Sequence, residues 1–317
     1  MSLNTTNSGA FINTEQYDSF ILSQLQENML PTVFYRDVTN FQSGSTLNIK
    51  SVGARTIQDV TEEQALVSTP IDSSTITLTI NKWKGDKMHV TDKLREDGEQ
   101  VEALLAESAL QTSMALAEDF ESNAYSVLNA GQTAADANSI NGFAHRVVSA
   151  ESNNVVSLQH FLEMKLAFDK AKVPAAGRIA VVDPIVEATL NDLVSADASI
   201  NNNPLFEGIV KTGFMMDHRF VTTIHGWTIM TSNLLPAIAS ETIGAGSVTG
   251  GVANIFMSIA SDNHKPLMSA TRRKVRTEAW RDHDNERDVM QTTQRYGQGV
   301  QRKDTLGVVI TSATNYK

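Results

Sequence analysis

Glycines stand at Gly244, Gly246 and Gly250, spaced almost as in a loop that cradles a dinucleotide pyrophosphate. The third glycine comes one place late, and no clear helix follows, so a surface turn is the better reading. A phosphate loop ending in Gly-Lys-Ser/Thr, an HExxH zinc helix and a G-x-S-x-G nucleophile elbow are all missing. The seven histidines (His89, His145, His160, His218, His225, His264, His283) are scattered, with no pair spaced to share a helix face. His218 and His225 bracket a strand-like run, which is weak grounds for a metal, and structural roles are expected for all seven.

Asp282, Asp284, Glu286 and Asp288 alternate in the manner of a calcium loop but lack its central glycine. Arg281 and Arg287 interleave them, so a self-neutralising surface is expected. Arg272, Arg273, Lys274 and Arg276 form one basic cluster, too small and too close to acids to require nucleic acid. It reads as a salt-bridge patch between subunits. No catalytic, cofactor-binding or metal residue is assigned.

The bulk properties agree. A chain of 317 residues, 41% hydrophobic and 20% charged, can bury a core in one large or two modest domains. Cysteine is absent, which excludes disulfides and thiolate metal sites. With 26 basic and 36 acidic residues the formal net charge is −10, which disfavours general attraction to nucleic acid. MSLNTTNSGA lacks the basic and apolar regions of a secretory signal, and no apolar run reaches membrane-spanning length, so no membrane is expected.

Which elements position these residues? Tyr17, Phe20 or Ile21, Leu25 and Met29 fit a helix over residues 14–30, capped by Thr14 and stopped by Pro31. It is either a helix on an arm or the first helix of a domain. Leu47 and Ile49, then Ile76, Leu78 and Ile80, alternate with polar neighbours and predict two strands. The 22 residues of GARTIQDVTEEQALVSTPIDSS between them predict a protruding hairpin that docks on a neighbour, or an edge hairpin with a loose tip.

From Asp92 to Ala130 one long helix is predicted, with Val101, Leu105, Ala109, Leu116, Phe120, Ala124 and Val127 on one side. A second helix follows in SLQHFLEMKLAFDKAKV, registered on Leu158, Phe161 or Leu162, Leu166, and Phe168 or Asp169. Then come a buried strand, RIAVVD, and a helix opened by Pro184. Strands are predicted in GWTIMTSNLL and ANIFMSIA, on either side of the glycine loop, and in MSATRRKVRTEAW and LGVVITSAT, separated by a charged and polar block. Segments near residue 90 and near the end are expected to share one sheet.

This order of parts resembles the HK97-type fold of tailed-bacteriophage major capsid proteins. GSTLNIKSVGARTIQDV followed by STITLTINKWKGDKMHVTDKLRED is similar to the extended loop of podovirus-type coat proteins, entering the spine helix at Asp92. AAGRIAVVDPIVEATLND is similar to their axial-domain phrase, and YGQGVQRKDTLGVVITSA resembles their closing strands. The resemblance implies an α+β, HK97-like fold: an N-terminal arm at 1–40, an extended loop at 41–91, a peripheral domain at 92–156 and 265–317, and an axial domain at 157–264.

It implies a structural protein of the virion, not an enzyme and without cofactor, assembled in the bacterial cytoplasm. Copies of itself would form the hexamers and pentamers of an icosahedral head, enclosing double-stranded DNA without reading its sequence. A portal protein and a separate scaffolding protein are implied partners, and a decoration or cement protein is allowed. Lys50, Lys82 and Lys84 lie near the loop, but no acid and asparagine partner is identified for an isopeptide crosslink, and none is expected. Trp83, Phe34 and Tyr35 are candidate anchors at joints between subunits, or else residues of the subunit's own core. The competing readings are an encapsulin-like bacterial compartment and an α/β nucleotide-binding enzyme using the glycine loop.

Overall fold

The computed structural model describes residues 32–39, 44–53, 55, 57–60, 62–63, 65, 67–68, 70–71, 73–98, 101–132, 138–196 and 220–316. The helix predicted over 14–30 lies outside them, as does His218.

In chain order a short strand β1 (Tyr35–Asp37) precedes the hairpin strands β2 (Thr46–Val52) and β3 (Ser73–Thr79), then β4 (Lys82–Thr91). Two helices follow, α1 (Asp92–Asp97) and α2 (Val101–Gly131), then short strands β5 (Ser139–Ile140), β6 (Phe143–Ala144) and β7 (Arg146–Val148). The next layer holds α3 (Leu158–Lys170), β8 (Arg178–Val182), α4 (Pro184–Ala196), β9 (Phe220–Ile224) and β10 (Trp227–Thr231). It continues through β11 (Ala237–Ile243) and β12 (Gly246–Ser258). The closing strands are β13 (Leu267–Asp282), β14 (Arg287–Val300) and β15 (Leu306–Ser312).

Two sheets organise these parts. One is four-stranded in the order β1-β13-β14-β4, so β4 and the late β14 do share a sheet, with Thr91 opposite Arg287 and Lys82 opposite Tyr296. The other runs β7-β15-β12-β8-β10-β9, with β11 paired to β12. Both its faces are covered, which is why β8 and β15 read as unbroken apolar runs and not as alternating ones. On β8, Ala180 and Val182 join Phe161, Phe168, Trp227 and Phe256 on one side. Ile179 and Val181 join Phe34, Tyr125, Leu128 and Leu306 on the other. Phe168, Trp227 and Phe256 meet edge to face at 4.9 Å between ring centroids, the geometry that aromatic quadrupoles favour.

Several sequence expectations are corrected here. The single long helix is two: Gly98 takes an extended conformation and ends α1, its N–H donating to the Leu94 carbonyl at 2.9 Å. The remaining 31 residues of α2 span about 46 Å at about 1.5 Å per residue. Leu116 and Ala124 of the predicted stripe are buried, but Tyr125 and Leu128 carry more of the packing. On α3 the buried face is Phe161, Met164 and Phe168, whereas Leu162 and Leu166 are exposed. The charged block after residue 281 contains β14, a strand of 14 residues whose polar side chains hid it. The glycine loop is the β11–β12 hairpin: Gly244 holds the turn at φ +58°, and the chain is already strand at Gly246.

Buried ions are tied down. Arg178, set over the rings of Phe168 and Trp227, donates to Asp169 at 2.6 Å and to the carbonyls of Val173 and Pro174. Arg146 makes a two-toothed pair with Glu241, both contacts 2.6 Å, and donates to Asn129.

His145 is fully buried, stacked on Phe168 and bonded through Nδ1 to the Leu306 carbonyl, while His160 accepts from the Ser157 N–H at the start of α3. Burial pushes both imidazoles below their ordinary value of 6.5, so the unfolded chain takes up these protons first as pH falls. The stability they contribute is whole above about pH 6.5 and is lost as pH falls through the lowered folded values, at up to about 1.4 kcal/mol per pH unit for each ring. Thermal melts of the subunit are expected to fall with pH below 6.5, and to fall less steeply in His160→Gln. Parallel curves would contradict this account.

Candidate assembly surface

The hairpin of β2 and β3 packs on the body at its base. Leu78 and Ile80 are buried against Met268 and Ala270, with Leu47, Ile49 and Ile76 partly covered beside them. The backbone of β3 runs so close over β14 that a side chain at Gly297 would place its Cβ 2.5 Å from the Thr79 carbonyl and 2.8 Å from the Ile80 Cα. Both obstacles are backbone, so Gly297→Ala must lift the hairpin root. The expected cost is about 1–3 kcal/mol, read as a lower melting temperature and faster proteolysis within residues 46–79. An unchanged proteolysis rate would show that the root is not set by this contact.

Beyond the root none of the hairpin's described residues is buried. Strand pairing runs from Thr46 opposite Thr79 to Val52 opposite Ser73, and past it the Gln58 side chain bonds both backbone groups of Val67, at 2.9 and 3.1 Å. Ile57 is 95% exposed, and Val52, Val60, Val67 and Ile71 are all more than 60% exposed. In the sequence this stretch is mostly polar. The overlooked signal was the set of isolated apolar residues, each too far from the body to reach its core.

At the far end of the four-stranded sheet two carboxylates of the acidic run, Asp282 and Asp288, are paired with arginines. Asp288 meets Arg95 at 2.5 Å and Arg281 at 3.3 Å, Arg281 also grips Asp92, and Asp282 accepts from Arg287 at 2.8 Å. The Arg281 contact holds the Asp92 carboxyl below its usual range, Arg95 and Arg281 do the same for Asp288, and the Asn285 amide followed by Arg287 does so for Asp282. Of the basic cluster, Arg276 pairs with Glu278 at 2.8 Å, and Arg273 joins Arg295 over the ring of Trp83.

The three aromatic candidates divide. Phe34 is in the subunit's own core, Tyr35 is half-buried against Phe120 at 5.8 Å, and Trp83 is 66% exposed. Along the inner side of the sheet Asp119 of α2 binds both Lys84 at 3.0 Å and the Tyr296 hydroxyl at 2.9 Å, fastening helix to sheet. A groove of about 510 Å³ between the first turns of α2 and the end of this sheet is lined mainly by Met88, Val90, Leu105, Trp280 and Met290. Among the described residues no group of three or more histidine, aspartate or glutamate side chains converges as a metal site, and no helix is long and apolar enough to cross a membrane.

Exposed apolar residues on an extended hairpin, a long helix laid along a sheet and a charged sheet edge are the main features of this surface. A model of the phage capsid protein family matches residues 73–311, and the chain belongs to that family. Its fold is that of solved capsids: of Cyanophage P-SCSP1u (14% identity, 95% of this chain and 93% of that one, TM-score 0.69) and of the mature capsid of bacteriophage PhiM1 (18%, 98% and 95%, 0.69). The capsid of a native GTA particle is similar too, at 13% identity over 98% of this chain and 100% of that one, TM-score 0.63. Comparison with curated proteins gives no match. The protein is a structural component of the virion, a major capsid subunit with the HK97-like fold.

Proposed function

We propose that copies of this chain close as hexamers and pentamers into an icosahedral head around double-stranded DNA, and that it catalyses no reaction. The observation that carries the reading is the hairpin, which exposes Ile57, Val60, Val67 and Ile71 beyond its root. An isolated subunit gains nothing from such an arm; a neighbour that covers it gains apolar burial without a larger core. Residues 1–40 would be the arm, 41–91 the extended loop, 92–156 and 265–317 the peripheral domain, and 157–264 the axial domain. Because β4 pairs with β14, the extended loop is anchored through the peripheral sheet.

The net charge of −10 favours a container that does not bind its DNA tightly. Assembly in the host cytoplasm, guided by a separate scaffolding protein and joined by a portal, completes the proposal, with a decoration protein as an optional addition. Sedimentation of the protein expressed alone and with a scaffolding protein tests it. Megadalton particles are expected, uniform only with the scaffold; a 34.6 kDa monomer under both conditions would overturn the reading.

A further inference from the structure

Where the hairpin root meets the body, a cleft of about 500 Å³ is lined by Arg36 of β1, Lys50 of β2, and Arg302 and Lys303 of the β14–β15 loop. Asp304 is its one acidic lining residue and is paired with Arg302 at 3.4 Å. Lys50 and Lys303 are exposed and form no ion pair among the described residues. In a chain of net charge −10 this is a concentrated positive patch, brought together from three distant stretches of sequence.

The opposite patch lies at the other end of the same sheet. From Arg95 to Glu107 the sequence carries Glu96, Asp97, Glu99, Glu102 and Glu107, while Arg95 is already committed to Asp288. Glu96 and Asp97, at the end of α1, are exposed. Lys82 and Tyr296 mark the cleft end of the β4–β14 pair, and Thr91 and Arg287 mark the α1 end. Ten residues of strand separate them, roughly 30 Å at about 3.3 Å each. One copy cannot bring its own two patches together; two copies placed head to tail can, and a heterologous contact of that kind forms a ring where its rotation closes.

We propose that the cleft formed by Arg36, Lys50, Arg302 and Lys303 receives the acidic α1 end, Glu96 and Asp97, of the next copy. The proposal rests on the shell reading and adds the partner surface. A peptide segment suits the cleft better than a nucleic acid phosphate does, because Ile49, Val52 and Ile76 give it apolar lining and Asp304 opposes a diffuse anion.

The test is assembly of the full-length protein, followed by light scattering and microscopy. Lys50→Glu/Lys303→Glu and Glu96→Lys/Asp97→Lys change exposed residues, so each is expected to melt like the wild type and to assemble at least about tenfold more slowly, as like charges facing across an interface do. All four substitutions in one chain restore the rate. Normal assembly of either reversed variant, or no recovery in the fourfold exchange, would overturn the proposal. So would reversed variants that build normal shells but fail to retain DNA, since the cleft would then serve nucleic acid. Wild type run alongside separates the levels: no particles from wild type removes the shell reading itself, whereas wild-type particles with unaffected variants remove only this contact.

Discussion

Replacing residues 53–72 with an Asn-Gly turn gives a subunit that folds normally and does not form particles. Val52 and Ser73 face each other directly, so a two-residue turn closes the shortened hairpin with the twist its strands require. The root is untouched, since Leu78 and Ile80 keep their contacts with Met268 and Ala270. What disappears is Ile57, Val60, Val67 and Ile71, all exposed in the single chain. If a neighbour covers them, each contributes about 1.5–3 kcal/mol on full burial. Loss of several per subunit lowers association by more than about 100-fold, since about 1.4 kcal/mol is a factor of ten. Circular dichroism and a thermal melt establish the fold, and gradient sedimentation counts particles. Wild-type particle yield from the shortened protein would mean that the hairpin tip is not an assembly contact.

Arg146→Ala has the largest expected effect on the subunit itself. The guanidinium joins β7 to Glu241 on β11 and to Asn129 on α2, and both charged side chains are nearly free of solvent. Truncating one partner leaves a buried carboxylate without compensation, at about 3–5 kcal/mol. With about 2–4 °C per kcal/mol for domains of comparable size, the melting temperature falls on the order of 10 °C. Arg146→Met/Glu241→Leu removes both charges and is expected to recover most of that loss, because an apolar pair of similar volume costs little there. A double variant no more stable than Arg146→Ala would show that the pair itself, and not the orphaned charge, carries the stability.

The legible parts of this fold are those where one local pattern decides the outcome. β8 is five apolar or sheltered residues between Gly177 and Pro184, and β2 and β3 alternate cleanly because only one face of the hairpin root is covered. The order of parts, and with it the resemblance to capsid proteins, followed from such segments. The illegible parts depended on partners far away in sequence. β14 reads as charged and polar because its buried Thr292, Thr293 and Gln294 lie against α2 and beside β4, whose paired residues come more than 200 positions earlier.

Phe34 offered the same difficulty: an aromatic between a presumed arm and a hairpin looks like a joint, yet it packs with Tyr125 and Leu267 in the subunit's own core. Chemistry at sites was legible mainly by elimination. The glycine loop was read as a surface turn, and Gly244 does hold the turn between β11 and β12. The acidic run was read as neutralised by Arg281 and Arg287, and both do pair with it, but the contribution of Arg95 required the sheet to bring α1 alongside. The basic cleft drew on residues 36, 50, 302 and 303, and no spacing rule joins them.

On the proposed reading, copies of this chain cover the apolar and charged surfaces that a single subunit leaves exposed. Negative-stain microscopy of the purified protein, expressed with and without a scaffolding protein, tests this most directly. Closed icosahedral shells with the scaffold, and aberrant spirals or mixed closed shells without it, are the predicted result. A uniform field of single subunits under both conditions would contradict the account.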